Sequence, residues 1–215
     1  MKKPAKTKST KAPQQSGNAR EAILDAALTA FARYGYDGAS LPKIAQIAQV
    51  APPLIHYYFG SKDKLWRETV DHSLGELRRE SSAIQSATRA LGPLDRLRAL
   101  LQAITHFAAR CPDHFSMIIA EARSESDHFA WVQENYTGVL FGDVVSLLEA
   151  AKREGLIRDV SVEHLAFMLI GGILVYFSIQ PPAPKDKDLG QLADEYTDEI
   201  FKIFLDGVAV TKRRA

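Results

Sequence analysis

The stretch SLPKIAQIAQVAPPLIHYYFGSK, residues 40–62, decides how this chain folds at its N-terminal end. Ser40 is a good N-cap, because its hydroxyl can accept from a backbone N–H two or three residues on. Pro42 just inside the first turn gives up only an amide that would be orphaned anyway, so a helix begins near Leu41. Leu41, Ile44, Ala45 and Ala48 then fall on one side at helical spacing, and the two alanines let a second helix approach closely. Gln49, Val50 and Ala51 form the turn. Pro52 and Pro53 can open a helix but cannot sit inside one, which places the next start there and its end near Phe59. Ser61 starts a third helix. Two short helices joined by a tight turn make a helix-turn-helix.

On the second helix, steps of about 100° put Ile55, Tyr58 and Phe59 on one side and Pro53, His56 and Tyr57 on the other. One side is expected to pack inward. The other, bearing an imidazole, a phenol and a stiff proline pair and followed by Lys62, suits phosphates and base edges in a DNA major groove. The competing reading is an aromatic-rich core helix of an ordinary bundle.

Three pieces in order carry a resemblance to a family: AREAILDAALTAFARYGYDGAS (19–40), IAQIAQVA (44–51) and LIHYYFGSKDKLW (54–66). Over residues 18–66 the chain resembles the N-terminal region of the TetR/AcrR family of bacterial repressors, whose motif closes on L-Y-x-H/Y-F-x-S-K-x-x-L. By position the resemblance implies DNA contacts from Ser40, Lys43, Pro52, Pro53, His56, Tyr57 and Lys62. It also implies an operator in double-stranded DNA, a homodimer and a small amphipathic effector. The departures are specific. Gln49 stands where the family usually has glycine, so a positive φ there carries strain on the order of 1 kcal/mol. Ala51 replaces the usual Ser or Thr cap, a loss of about 1 kcal/mol. Leu54 stands where a small polar residue is common. His56 replaces a common tyrosine, which makes binding more sensitive to pH than a phenol would.

Charge is unevenly distributed. Residues 1–67 hold eleven Lys and Arg against four acids, a balance of +7 in a chain whose formal net charge is +1. The remainder is therefore acidic by six, as expected if one end alone meets a polyanion. The first fifteen residues, MKKPAKTKSTKAPQQ, have no apolar run, which argues against a secretory signal and for a mobile basic tail. Five lysines there could reach a minor groove or be merely solvated. The single cysteine, Cys111, rules out an internal disulfide and fits a reducing cytoplasm. The apolar run LAFMLIGGILVYFSI (165–179) is short of the roughly 20 residues needed to span a bilayer, so a buried helix and no membrane partner are expected.

Periodicity predicts further helices and no strand. Asn18 with Glu21 reads as a capping box for a first helix that Gly35 ends. Later helices are expected at about 62–82, 94–110, 114–124, 129–154, from about 161 through the apolar run, and at 189–210. The expected architecture is all-α: a disordered basic tail (1–17), a three-helix helix-turn-helix DNA-binding domain (18–62), and a helical effector-binding and dimerisation domain (63–215). In the resembled family the last two helices meet their twins across a two-fold axis. Gly171 and Gly172 fit such a close helix–helix approach.

Catalytic and metal patterns are missing from the sequence: there is no G-x-S-x-G, phosphate-binding glycine loop, H-E-x-x-H or C-x-x-C. His106, His114, His128 and His164 lack ligand spacing, so no enzyme, cofactor or metal is expected. His106, Phe107, Phe115, Met117, Trp131, Tyr136, Phe141, Met168 and Tyr176 mix large apolar groups with a few polar tips, the usual lining of a pocket for a small amphipathic molecule. Each is also a reasonable core residue. Arg110 and Arg123 are candidates for an anionic ligand group or plain surface positions.

Overall fold

The computed structural model describes residues 14–122, 127–179 and 188–209. Its elements are helices in chain order: α1 (Gln14–Gly38), α2 (Leu41–Ile47), α3 (Pro52–Phe59), α4 (Lys62–Ala87), α5 (Pro93–Arg110), α6 (Pro112–Ala122), α7 (Asp127–Val132), a π-helical turn (Gln133–Thr137), α8 (Gly138–Arg153), α9 (Val162–Ile179) and α10 (Leu189–Val208). Among the described residues the only strand-like feature is one isolated bridge, Ile157 to Ala209, that ties the α8–α9 connection to the end of α10. The all-α expectation holds.

The local signals act as read. Ser40 Oγ accepts from the Lys43 amide at 3.4 Å and Ser61 Oγ from the Lys64 amide at 3.1 Å. Gln49 sits at φ 55, the one positive-φ residue other than glycine among the described residues, and it makes the turn between α2 and α3. Ala51 provides no side-chain cap for α3. On α1, Ile23, Ala27, Ala30 and Phe31 are fully buried, and they join Ile44 and Ala45 of α2, Ile55 and Phe59 of α3, and Leu65 and Trp66 of α4 in one core. Each large side chain so buried contributes roughly 1.5–3 kcal/mol. Behind this head, α5 forms the axis of the body: Leu97, Leu100, Leu101, Ile104 and Phe107 are buried, and α4, α8, α9 and α10 pack around it.

Several expectations need correction. Asn18 is not a cap, because α1 already runs from Gln14; Gly35, at φ 67, does break the helix, and a short turn continues to Gly38. The rod expected over 129–154 is not one α-helix, since a π turn inserts an extra residue into its ladder. The glycine at its exit is needed there: a Cβ on Gly138 would collide with the Gln133 carbonyl oxygen. The apolar run does not form a helix buried all round. α9 is the one described helix long and apolar enough to cross a membrane by length and composition, yet only a third of it is buried in the subunit. Ala166, Leu169, Ile173 and Phe177 face inward, whereas Phe167, Met168, Val175 and Ile179 face out. A Cβ on Gly171 would meet nothing within 4 Å, so no close approach within the subunit requires glycine there. Residues 1–13 of the lysine-rich tail, Arg123, and residues 181–187 of the expected Pro-rich turn lie outside the described residues, whereas residues 14–17, expected to be disordered, belong to α1.

Candidate nucleic-acid interface and the cleft behind it

The outward face of α3 presents Pro52, Pro53, His56 and Tyr57, all exposed, with Tyr57 80% accessible. Ile55 and Phe59 anchor the opposite face, so the face is fixed by the core rather than by loops. The His56 ring lies with Nδ1 3.2 Å from the Gly60 carbonyl oxygen. A carbonyl can only accept, so Nδ1 carries the proton, and Nε2 of the neutral ring is left outward as an acceptor. Tyr57 and Tyr58 rings meet edge to face at 5.1 Å, which steadies the phenol at the tip.

Ser40, Lys43 and Lys62 flank this helix. Lys43 Nζ stands 3.4 Å above the Tyr34 ring. Lys62 Nζ stands 4.4 Å above the Tyr36 ring and donates to the Asp37 carbonyl at 3.4 Å. Two ammonium groups are thus positioned by aromatic platforms at the end of α1, a feature invisible in a linear motif. Of the seven residues expected at a DNA surface, Ser40, Pro52, Pro53, His56 and Tyr57 are exposed, and Lys43 and Lys62 are half-buried on their aromatic platforms.

A joint connects the head to the body. His128 of α7 has Nε2 2.8 Å from Asp63 Oδ1 of α4, while Arg67 Nε donates to Asp63 Oδ2 at 3.1 Å. Burial alone would raise the Asp63 carboxyl, but the hydrogen bonds and positive charge of His128 and Arg67 outweigh it and hold the group below its ordinary value. The His128 ring packs on Tyr36 at 4.1 Å and Trp66 at 4.4 Å; Trp66 meets Trp131 at 6.0 Å and Trp131 meets Tyr136 at 5.8 Å. The Tyr36 amide donates to the buried Glu121 of α6 at 3.0 Å. Tyr36, Asp63, Arg67, Glu121 and His128 line a recess of about 420 Å³ between α1, α4, α6 and α7.

Tyr136, at the far end of that aromatic chain, opens onto a second cleft of about 260 Å³ between α4 and the π turn with α8. Leu74, Leu77, Phe115, Val139 and Leu140 form its apolar surface; Arg78, Ser81, Ser82, Gln85, Thr137 and Asp143 supply polar groups. Tyr136 donates its hydroxyl to Asp71, and burial together with that carboxylate pushes the phenol up to about 12.

Of the nine residues expected to line one pocket, Phe115 and Tyr136 line this cleft and the rest do not. Phe107 is in the core against Phe115, and Trp131 belongs to the joint. His106 faces Asp194 of α10 at 2.7 Å, and Tyr176 stacks on Tyr196. Phe141 packs on the exposed Phe167, and Met168, 72% accessible, lies on the outer face of α9. Residue type could not say which side of each helix would close over a cavity. Met117 is also core, and Arg110 is engaged with Glu76 and Glu80 of α4. No cluster of three or more His, Cys, Asp or Glu that could hold a metal occurs among the described residues. The sequence reading missed Ser81 in the cleft and the pairings of Asp63 with His128 and of Gln85 with Asp143, whose members lie far apart along the chain.

Comparison with known proteins agrees with this geometry. Residues 23–69 match the family model described as bacterial regulatory proteins, tetR family. The chain is 26% identical over 200 residues to the HTH-type transcriptional repressor NicS of Pseudomonas putida, covering 92% of this chain and 93% of that protein. It is 39% identical over 82 residues to the HTH-type transcriptional regulator BetI of Agrobacterium fabrum, 38% of this chain and 39% of the relative. Among solved structures it shares its fold with the ketosteroid transcriptional regulator KstR2 of Mycobacterium tuberculosis, at TM-score 0.71 and 20% identity over 89% of this chain and 95% of that one. A TetR-like transcriptional regulator from Rhodococcus sp. RHA1 gives TM-score 0.67 at 20% identity, covering 88% and 96%. The matched segment takes in most of α1, all of α2 and the outward α3, and ends within α4, so residues 23–69 form a head of the tetR-family type and the chain as a whole is similar to TetR-type DNA-binding regulators of transcription.

Proposed function

We propose that the protein is a cytoplasmic, homodimeric repressor that sets α3 of each subunit into one half of a palindromic operator and leaves it when a small effector fills the cleft along α4. The observation that carries this reading is the outward face of α3: Pro52, Pro53, His56 and Tyr57 stand free above a helix locked by Ile55 and Phe59. Ser40, Lys43 and Lys62 serve as flanking backbone contacts, and His56 and Tyr57 as groove contacts. Half-sites then lie about 34 Å apart or a multiple of it.

Dimer formation is supported by the outer face of α9 and α10. Phe167, Met168, Val175, Ile179 and Ile203 leave an apolar surface that a lone subunit would expose to water. In the release step the effector must bind the DNA-incompetent arrangement more tightly than the competent one. Occupancy of the cleft acts on α4 directly and on the head through Tyr136, Trp131, Trp66 and His128. The division of labour follows: residues 18–62 read DNA, and 63–215 bind effector and dimerise.

Selection of bound genomic fragments at moderate salt tests the reading. Enrichment of one palindrome is expected, with Tyr57→Ala losing affinity for it while remaining dimeric. Uniform binding to all fragments, or equal affinity of the variant, refutes it and favours an all-α ligand-binding or scaffold protein.

A further inference from the structure

Asp143 is the least settled group in the cleft. Its carboxylate is half-buried at the α8 wall and receives a single hydrogen bond, from Gln85 Nε2 at 2.6 Å. Among the described residues no lysine, arginine or histidine pairs with it, and burial raises the group while the Gln85 bond lowers it only in part. A carboxylate withdrawn from water without a counter-charge is costly, so the site gains most from a cation.

The remaining polar atoms point the same way. Gln85 gives one of its two amide N–H groups to Asp143, and its Oε1 remains able to accept. Tyr136 donates to Asp71 and Ser82 donates to the Arg78 carbonyl, so both oxygens keep only acceptor capacity. Ser81, 4% exposed, lines the cleft with a hydroxyl that has no partner. The cleft is thus rich in acceptors over an apolar floor of Leu77, Phe115 and Leu140. Arg78 is the one cationic side chain in the lining and is exposed at the rim, seven residues or about 10 Å along α4 from Gln85.

We propose that this cleft binds an organic cation, a protonated amine on a compact apolar body, with Asp143 as its counter-ion and Gln85 and Ser81 accepting or sharing its N–H groups. The volume of about 260 Å³ suits on the order of nine or ten non-hydrogen atoms at liquid density. The proposal rests on the reading of this cleft as the effector site but concerns only the chemistry it selects.

Three probes of one skeleton test it on the full-length dimer: 2-phenylethylammonium, 2-phenylethanol and phenylacetate, titrated by calorimetry and then added to an operator complex. The amine should bind best. Asp143→Asn, which keeps the shape and the bond to Gln85, should weaken it on the order of ten- to hundredfold, with Asp143→Glu recovering part of the loss. Arg78→Ala, which removes the positive charge from the lining, should tighten it. Phenylacetate binding as tightly as the amine, weakening of the amine by Arg78→Ala, no weakening by Asp143→Asn, or binding of none of the three at millimolar concentration overturns the proposal. Amine binding that leaves the operator complex intact upholds the cation site and refutes its regulatory use; release by phenylacetate alone does the reverse.

Discussion

Lys62 offers the sharpest quantitative test, because two physical roles for its ammonium predict different observables. The group sits 4.4 Å above the Tyr36 ring and 3.4 Å from the Asp37 carbonyl oxygen, at the start of α4 beside the exposed face of α3. If it also neutralises a phosphate, each subunit loses one contact in Lys62→Met, a change that keeps the aliphatic stem on the ring. Two copies per dimer, at about 0.9 each, flatten the slope of log affinity against log salt by about 1.8. Between about 50 and 200 mM salt the penalty of the substitution then shrinks about tenfold. Fluorescence anisotropy on a labelled operator at four salt concentrations measures the slope directly. Loss of the cation–π contact costs only about 0.5–1 kcal/mol of folding stability and should be seen in urea unfolding in either case. An unchanged slope alongside reduced stability would show that the charge is spent within the head, and would remove Lys62 from the backbone contacts.

Other expectations follow from particular residues. Replacing Gln49, at φ 55, with glycine removes about 1–2 kcal/mol of left-handed strain and adds about 0.4–1 kcal/mol of unfolded-state freedom; the variant should melt a degree or two higher, and a lower melting point contradicts the strain. Asp63 has a lowered carboxyl, so its contribution to stability is present above the ordinary carboxylate range and disappears as pH falls through its folded value. The gap in urea midpoint between wild type and Asp63→Asn should therefore be open at neutral pH and close in acid; a gap independent of pH assigns the residue no such role. Paired Phe167→Asp and Met168→Asp substitutions on the outer face of α9 should give monomers in analytical ultracentrifugation, and an unaltered dimer would move the subunit interface elsewhere.

The head was legible because its determinants are local. Ser40, Ser61, the Pro52–Pro53 pair and the turn at Gln49 act within a few residues of themselves, and the structure uses each as expected. Asn18 shows the limit of such rules, since a cap motif was overridden by four more helical residues before it. The joint and the cleft were not legible, because Asp63 with His128, Asp71 with Tyr136, and Gln85 with Asp143 are contacts between residues 58–65 positions apart. Periodicity also cannot distinguish a buried stripe from an exposed apolar one, which is why Met168 read as pocket lining. The π turn left a single sequence trace, the glycine at 138, and one glycine in an apolar helix has many ordinary explanations.

The chain contains two tryptophans, and both stand in the joint, Trp66 beneath the head and Trp131 on the rod that leads to the cleft. Its tryptophan emission, excited beyond the tyrosine band, therefore originates entirely at the point where the two functional halves touch. A shift in colour or intensity on adding a compound, or on adding operator, reports that contact with no dye attached, and unlabelled wild-type protein can serve as its own optical gauge of the coupling.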